Sequence, residues 1–115
     1  MGWALGELQN VVIRLALEHG QDAALALEVV RRESGWDPDA VGDQGRAVGL
    51  WQWHLLSWCY VRRVMRVDGA DLRRDPVEAT RAAMYAWRVM GLTRWWSTYA
   101  PAREALYGAG AIRGL

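Results

Sequence analysis

The stretch Asp22-Ala23-Ala24-Leu25-Ala26-Leu27-Glu28-Val29-Val30-Arg31-Arg32-Glu33-Ser34-Gly35 decides the fold, because it holds the start and stop signals of a helix and an acid in its last turn. Asp22 is placed to accept from the first free amides, and Gly35 can take the left-handed conformation that ends a helix. At about 100° per residue, Ala26, Val29 and Val30 share a face with Glu33, so its carboxyl points toward the core side. Partial desolvation and the negative end of the helix dipole both disfavour the anion. The expected result is a carboxylic acid that stays partly protonated near neutral pH, which is what protonating a glycosidic leaving oxygen requires. On the helix pattern alone a structural glutamate, exposed or paired with Arg31 or Arg32, is the commoner case. The residues that follow reverse that balance.

They read Gly35-Trp36-Asp37-Pro38-Asp39-Ala40-Val41-Gly42-Asp43-Gln44-Gly45-Arg46-Ala47-Val48-Gly49-Leu50-Trp51-Gln52-Trp53. With the helix before them, they resemble the catalytic core of the soluble lytic transglycosylases and goose-type lysozymes. In that family a helix-end Glu-Ser precedes an aromatic, an Asn or Asp before Pro, a glycine-rich turn, and Gly-Leu-hydrophobic-Gln. Asp75-Pro76, opening a helix with Ala82, Ala83 and Tyr85, is similar to the family's later helix. Tyr99 lies where the family has a tyrosine, but Ala100-Pro101 replaces the Asn-Ala-Gly that usually follows it.

The resemblance implies a mainly α, lysozyme-like fold of about five helices, with a glycine-rich loop or small β-excursion forming one cleft wall. It also implies cleavage of the β-1,4 bond between N-acetylmuramic acid and N-acetylglucosamine in peptidoglycan. Glu33 would be the general acid/base; Ser34, Trp51, Gln52, Trp53 and Tyr99 would bind substrate, with Tyr99 bonding or flanking Glu33. Because Trp51 and Trp53 flank Gln52, one of the two is expected to face the cleft.

Hydrolysis usually calls for a second carboxylate. Asp37, before Pro38, reads as a turn cap, and Asp39 as exposed. Asp43, within Gly42-Asp43-Gln44-Gly45, is the candidate second acid, with turn formation as its alternative role. If it does not reach the cleft, the sugar's own 6-hydroxyl can attack and leave a 1,6-anhydro product, as in a lytic transglycosylase. The reading leans toward hydrolysis, since short phage versions of this fold commonly act as muramidases. The rival from another class is a non-catalytic lysozyme-like module that binds cell wall or builds a virion.

Length and composition agree with one domain spanning residues 1–115, with 108–115 a loose tail. A chain this long can bury roughly 65% of its unfolded surface. One cysteine, Cys59, permits no internal disulfide, and it reads as an inert core thiol. All 14 basic residues are Arg, yet the net charge is only +1 and no basic stripe is visible, which excludes a nucleic-acid binder. His19 and His54 stand apart on different helices, so no metal or other cofactor is expected. No stretch approaches the about 20 apolar residues of a membrane span, and the first residues lack a signal-peptide pattern. That combination suits a phage lysin, or a virion-associated enzyme carried in a longer tail protein.

Periodicity predicts a first helix from Leu5 to Gly20, the second from Asp22 to Ser34, a third from Leu50 to Val67, and a fourth opened by Asp75 and Pro76 and running to Gly91. Thr93 to Tyr107 reads as one or two short helices broken around Pro101. Of the 8 tryptophans, Trp58, Trp87 and Trp36 are expected to pack the core, there being no Phe to do so. Arg62-Arg63 and Arg73-Arg74 read as solvated helix faces.

Overall fold

A computed structural model of the chain describes residues 2–108. Its helices are α1 (Leu5–Glu18), α2 (Ala23–Ser34), α3 (Leu55–Met65), α4 (Pro76–Val89) and α5 (Tyr99–Tyr107). Between α2 and α3 lies a small antiparallel sheet of three two-residue strands, β1 (Val41–Gly42), β2 (Ala47–Val48) and β3 (Trp53–His54), in that order. The architecture is the mainly helical, lysozyme-like one, with the β-excursion in its expected place. Of the tail expected at 108–115, all but Gly108 lies outside the described residues.

The helix signals act as their chemistry requires. Asp22 accepts from the Leu25 amide at 3.1 Å, and Gly35, at φ 61°, ends α2 by donating its N–H to the Arg31 carbonyl. Asp75 accepts from the Val77 and Glu78 amides at 2.9 and 3.1 Å, with Pro76 in the first turn of α4, where a missing N–H costs nothing. α1 buries Leu8, Val12, Leu15 and Ala16, and packs between α2 and α4. α2 in turn meets α5, and α3 meets α4. α5 therefore packs on the helix whose last turn carries the catalytic candidate.

Two helix boundaries differ from the periodic reading. The segment expected to open the third helix, Leu50 to His54, is a tight turn followed by β3, and the helix begins only at Leu55. Gly49 at φ 87° and Gln52 at φ 52° cannot continue a right-handed helix, and Val48 and Ala47 pair with Trp53 and His54 across the sheet. Gly49 is needed for a second reason: a Cβ there would stand 2.0 Å from the Arg73 carbonyl oxygen. Pro101 does not break the last helix but sits in the first turn of α5. The interruption falls earlier, around Trp96 to Thr98.

Tryptophan fills the interior. Trp51, Trp53, Trp58, Trp87 and Trp96 are buried and meet edge to face, with ring centroids 5.0 to 6.0 Å apart. Small residues on α4, among them Ala79, Ala82, Ala83 and Ala86, leave the room these rings occupy. Trp58 and Trp87 are core as expected, and Trp36 packs against the core half-buried. Cys59 is half-buried beside them.

Two arginines expected at the surface are buried instead. Arg62 lies over the Trp58 ring, its centre 5.0 Å from the centroid, and pairs with Glu78 at 2.9 Å. Arg73 binds Asp71 at 2.8 Å and donates to the Trp53 carbonyl at 3.1 Å and the Arg46 carbonyl at 3.2 Å, tying the α3–α4 connection to the excursion. Arg73 thus supplies the buried Trp53 carbonyl, and Arg62 donates to the part-buried Asp68 carbonyl at 3.0 Å. Arg63 and Arg74 are exposed as read.

Candidate active site

Glu33 occupies the last turn of α2, half-buried, on the face shared with the fully buried Ala26, Val29 and Val30. Its Oε2 accepts a 2.5 Å hydrogen bond from the Thr98 hydroxyl, which arrives from the turn just before α5. Burial pushes the Glu33 carboxyl above its ordinary range, while the Thr98 bond and the nearby His54 charge pull the other way and offset part of that rise. The direction agrees with the sequence argument, and its largest cause is desolvation.

His54 reaches this neighbourhood because β3 folds back along β2. Its Nε2 lies 3.2 Å from Asp43 Oδ2, and both side chains are about half exposed, at 48% and 49%. Asp43 and Gln44 adopt left-handed backbone at φ 49° and 57°, which turns the tip of the excursion so that the Asp43 carboxylate meets the imidazole across the sheet. Aspartate tolerates this region better than most side chains. The Asp43 carboxylate is thus engaged by His54. No carboxylate figures among the groups that shift Glu33.

The other expected site residues divide. Gln52 donates from Nε2 to the carbonyls of Gly49 at 3.0 Å and Ala40 at 3.2 Å, and its Oε1 lies over Gly42, where an added Cβ would approach within 2.5 Å. Its amide therefore holds the excursion in shape. Ser34 turns its hydroxyl back to the Val30 carbonyl at 3.2 Å, inside its own helix. Tyr99 packs edge-on against Trp87 at 5.4 Å, and the side chain that meets Glu33 is its neighbour Thr98.

The expectation that Trp51 or Trp53 faces the cleft is not met. Their exposures are 0% and 2%, and their ring N–H groups donate to Thr80 Oγ1 at 2.9 Å and the Ala79 carbonyl at 3.1 Å. Consecutive acceptors on α4 mean that both indoles point the same way, and Gln52, between them in the left-handed region, points the other way. Asp37 caps the turn as read, accepting from the Asp39 amide at 2.9 Å, and Asp39 is exposed.

Two residues near the acid escaped the sequence reading. Thr98 is far from Glu33 in the chain, and no local pattern links the two. His54 looks isolated in the sequence, yet in its two-residue strand it pairs with Ala47, close to the glycine turn that carries Asp43. Strand pairing across that turn was the signal that could have joined them. Among the described residues, no group of three or more His, Cys, Asp or Glu is placed to hold a metal ion.

Residues 10–100 match the family described as Transglycosylase SLT domain. No curated protein and no solved structure matches the chain significantly. The matched span contains α2 with Glu33, the whole excursion, α4, and Thr98. The chain therefore belongs to the SLT transglycosylase domain family, whose members are peptidoglycan-acting glycosidases of the lysozyme and lytic transglycosylase kind.

Proposed function

We propose that Glu33 is the single acid/base of a domain that cuts the β-1,4 bond between N-acetylmuramic acid and N-acetylglucosamine. The observation that supports it is a lone, half-buried carboxyl whose proton is retained above the ordinary range by desolvation. In the first step the Glu33 carboxyl gives its proton to the glycosidic oxygen as the C–O bond breaks and positive charge develops at the sugar. In the second step the carboxylate takes a proton from the attacking hydroxyl, so the acid is regenerated.

The attacking group decides the product. Internal attack by the muramic acid 6-hydroxyl needs only Glu33, and we favour it because residues 10–100 match a transglycosylase family. The sequence-based lean toward hydrolysis becomes the second reading. What favours hydrolysis is the Asp43–His54 pair, which could hold a water beside Glu33. Gln52 shapes the cleft wall by holding the excursion. The setting we propose is a phage lysin or virion-associated lytic domain, a role that a small catalytic domain can fill.

Mass spectrometry of digested peptidoglycan tests this. Anhydro-muropeptides alone, with Asp43→Asn within a few-fold of the parent rate, are the expected outcome. Reducing muropeptides, made about 10²-fold more slowly by Asp43→Asn, would instead establish the hydrolytic reading. Absence of any glycan product would reject catalysis and leave a wall-binding module.

A further inference from the structure

Thr98 stands just before α5, at the position where a threonine ordinarily caps a helix, yet its side chain bonds none of the helix amides. Two local features release it. Pro101 is the third residue of α5 and carries no N–H, so one of the two amides that a cap could serve does not exist. The backbone at Thr98 is also right-handed, at φ −82° and ψ −7°, where a capping residue is normally extended. The hydroxyl goes instead to Glu33 Oε2, 2.5 Å away and 65 positions earlier in the chain.

This makes the two oxygens of Glu33 unequal. Oε2 is held by Thr98, whereas Oε1 has no hydrogen bond to any described residue and is not among the buried unpartnered atoms, so it meets solvent. A carboxylate only accepts, which makes Thr98 the donor. When the carboxyl takes up its proton, Oε1 can receive it without breaking that bond. Protonation at Oε2 would require the hydroxyl to turn away.

We propose that Thr98 is the positioning residue of the acid: by holding Oε2 it places the acidic proton on Oε1, the oxygen open to substrate. The inference rests on Glu33 being the acid/base. In the first step the Oε1–H bond breaks as its proton moves to the glycosidic oxygen, which keeps the electron pair of the broken C–O bond. The charge left on Glu33 is shared with Oε2, and the Thr98 bond strengthens because its acceptor has become an anion. In the second step Oε1 takes the proton of the attacking hydroxyl. Thr98 keeps its own proton throughout.

Two variants of the full chain separate this role from packing. Thr98→Val keeps the shape and removes the donor, so kcat on peptidoglycan should fall by about 10- to 100-fold, the worth of a hydrogen bond to a charged group, with KM little changed. The limb of the pH–rate profile on which Glu33 loses its proton should move to higher pH, which a packing defect would not cause. Thr98→Ser restores the hydroxyl and should recover most of the rate and return the limb. A valine variant at the parent's rate, equal losses in both variants, or a loss carried by KM would overturn the proposal. The proton itself is located without turnover by neutron diffraction from deuterium-exchanged crystals of the parent grown below about pH 4.5, where the carboxyl is neutral. Deuterium on Oε1, with the Thr98 deuteron aimed at Oε2, is the expected result; deuterium on Oε2, aimed at Thr98 Oγ1, would reject it. If the parent cleaves no glycan, the catalytic reading fails, while the neutron map still decides which oxygen Thr98 leaves protonated.

Discussion

Trp51 and Glu33 both bring polar atoms into the interior, and their surroundings are built in opposite ways. Trp51 donates to Thr80 on a regular helix and is ringed by Trp87 and Trp96, whose positions follow from helix packing. Glu33 depends on side chains from separate segment ends: Thr98 before α5, and His54 at the end of β3, itself held by Asp43 at the tip of the excursion. Non-glycine residues with positive φ concentrate on this second side, with Trp36, Asp43, Gln44 and Gln52 all between α2 and α3. Backbone strain of that kind persists only where the rest of the fold over-determines it. The tryptophan region is the frame that does so, and the acid region is where single side chains can be changed without unbuilding the frame.

The largest separation between the regions should come from Glu33→Gln. The amide keeps volume and can still accept from Thr98, but it has no acidic proton to give, so cleavage should fall by about 10²–10⁴-fold while the circular dichroism spectrum is unchanged. Clearing of purified cell walls at a rate within a few-fold of the parent would remove Glu33 from the mechanism. Trp51→Ala should do the reverse. It empties a fully buried site, leaves Thr80 without its donor, and should cost about 3–5 kcal/mol of stability, read as a lower midpoint in thermal or denaturant melts. A variant that melts like the parent would mean that Trp51 is not part of the frame.

The same contrast explains which parts of the molecule could be read from the chain. α1, α2 and α4 announce themselves through periodic burial and caps, and Glu33 was placed because helix phase alone puts it on the face of Val29 and Val30. Gly49 was read from the motif, although its close approach to the Arg73 carbonyl is a long-range fact. The direction of Trp51 and Trp53 was not legible, since it depends on the left-handed turn at Gln52 and on small residues of α4 that make room for the rings. Arg62 and Arg73 look like surface charge in a string of letters, and only the fold shows the carbonyls they serve. Thr98 and His54 join the site through pairing between segments, which local patterns do not encode.

A smaller effect should follow from loosening the partners of the acid one at a time. Thr98→Val removes a bond that favours the carboxylate, and His54→Gln removes a charge that does the same, so each should raise the Glu33 pKa further. The limb of the pH–rate profile on which activity falls as Glu33 loses its proton should move to higher pH in both variants. A limb that stays in place in both variants would show that this surround does not tune the acid.

The smallest effect is on stability, and its sign follows from the same shift. Because the folded state holds the Glu33 proton to a higher pH than the unfolded chain, the native state binds more protons from about 4.5 up to the raised value, and stability falls as pH rises through that window. Above the window the cost of a half-buried carboxylate is fully present. Glutamine carries no such charge, so Glu33→Gln should melt at a higher temperature than the parent near pH 7, and the gap should close below 4.5, where the glutamate is neutral in both states. A gap that is absent, reversed or independent of pH would mean that Thr98 and His54 offset the desolvation completely. The acid would then be a comfortable member of the frame, and the contrast between the two regions would vanish at the residue where it matters most.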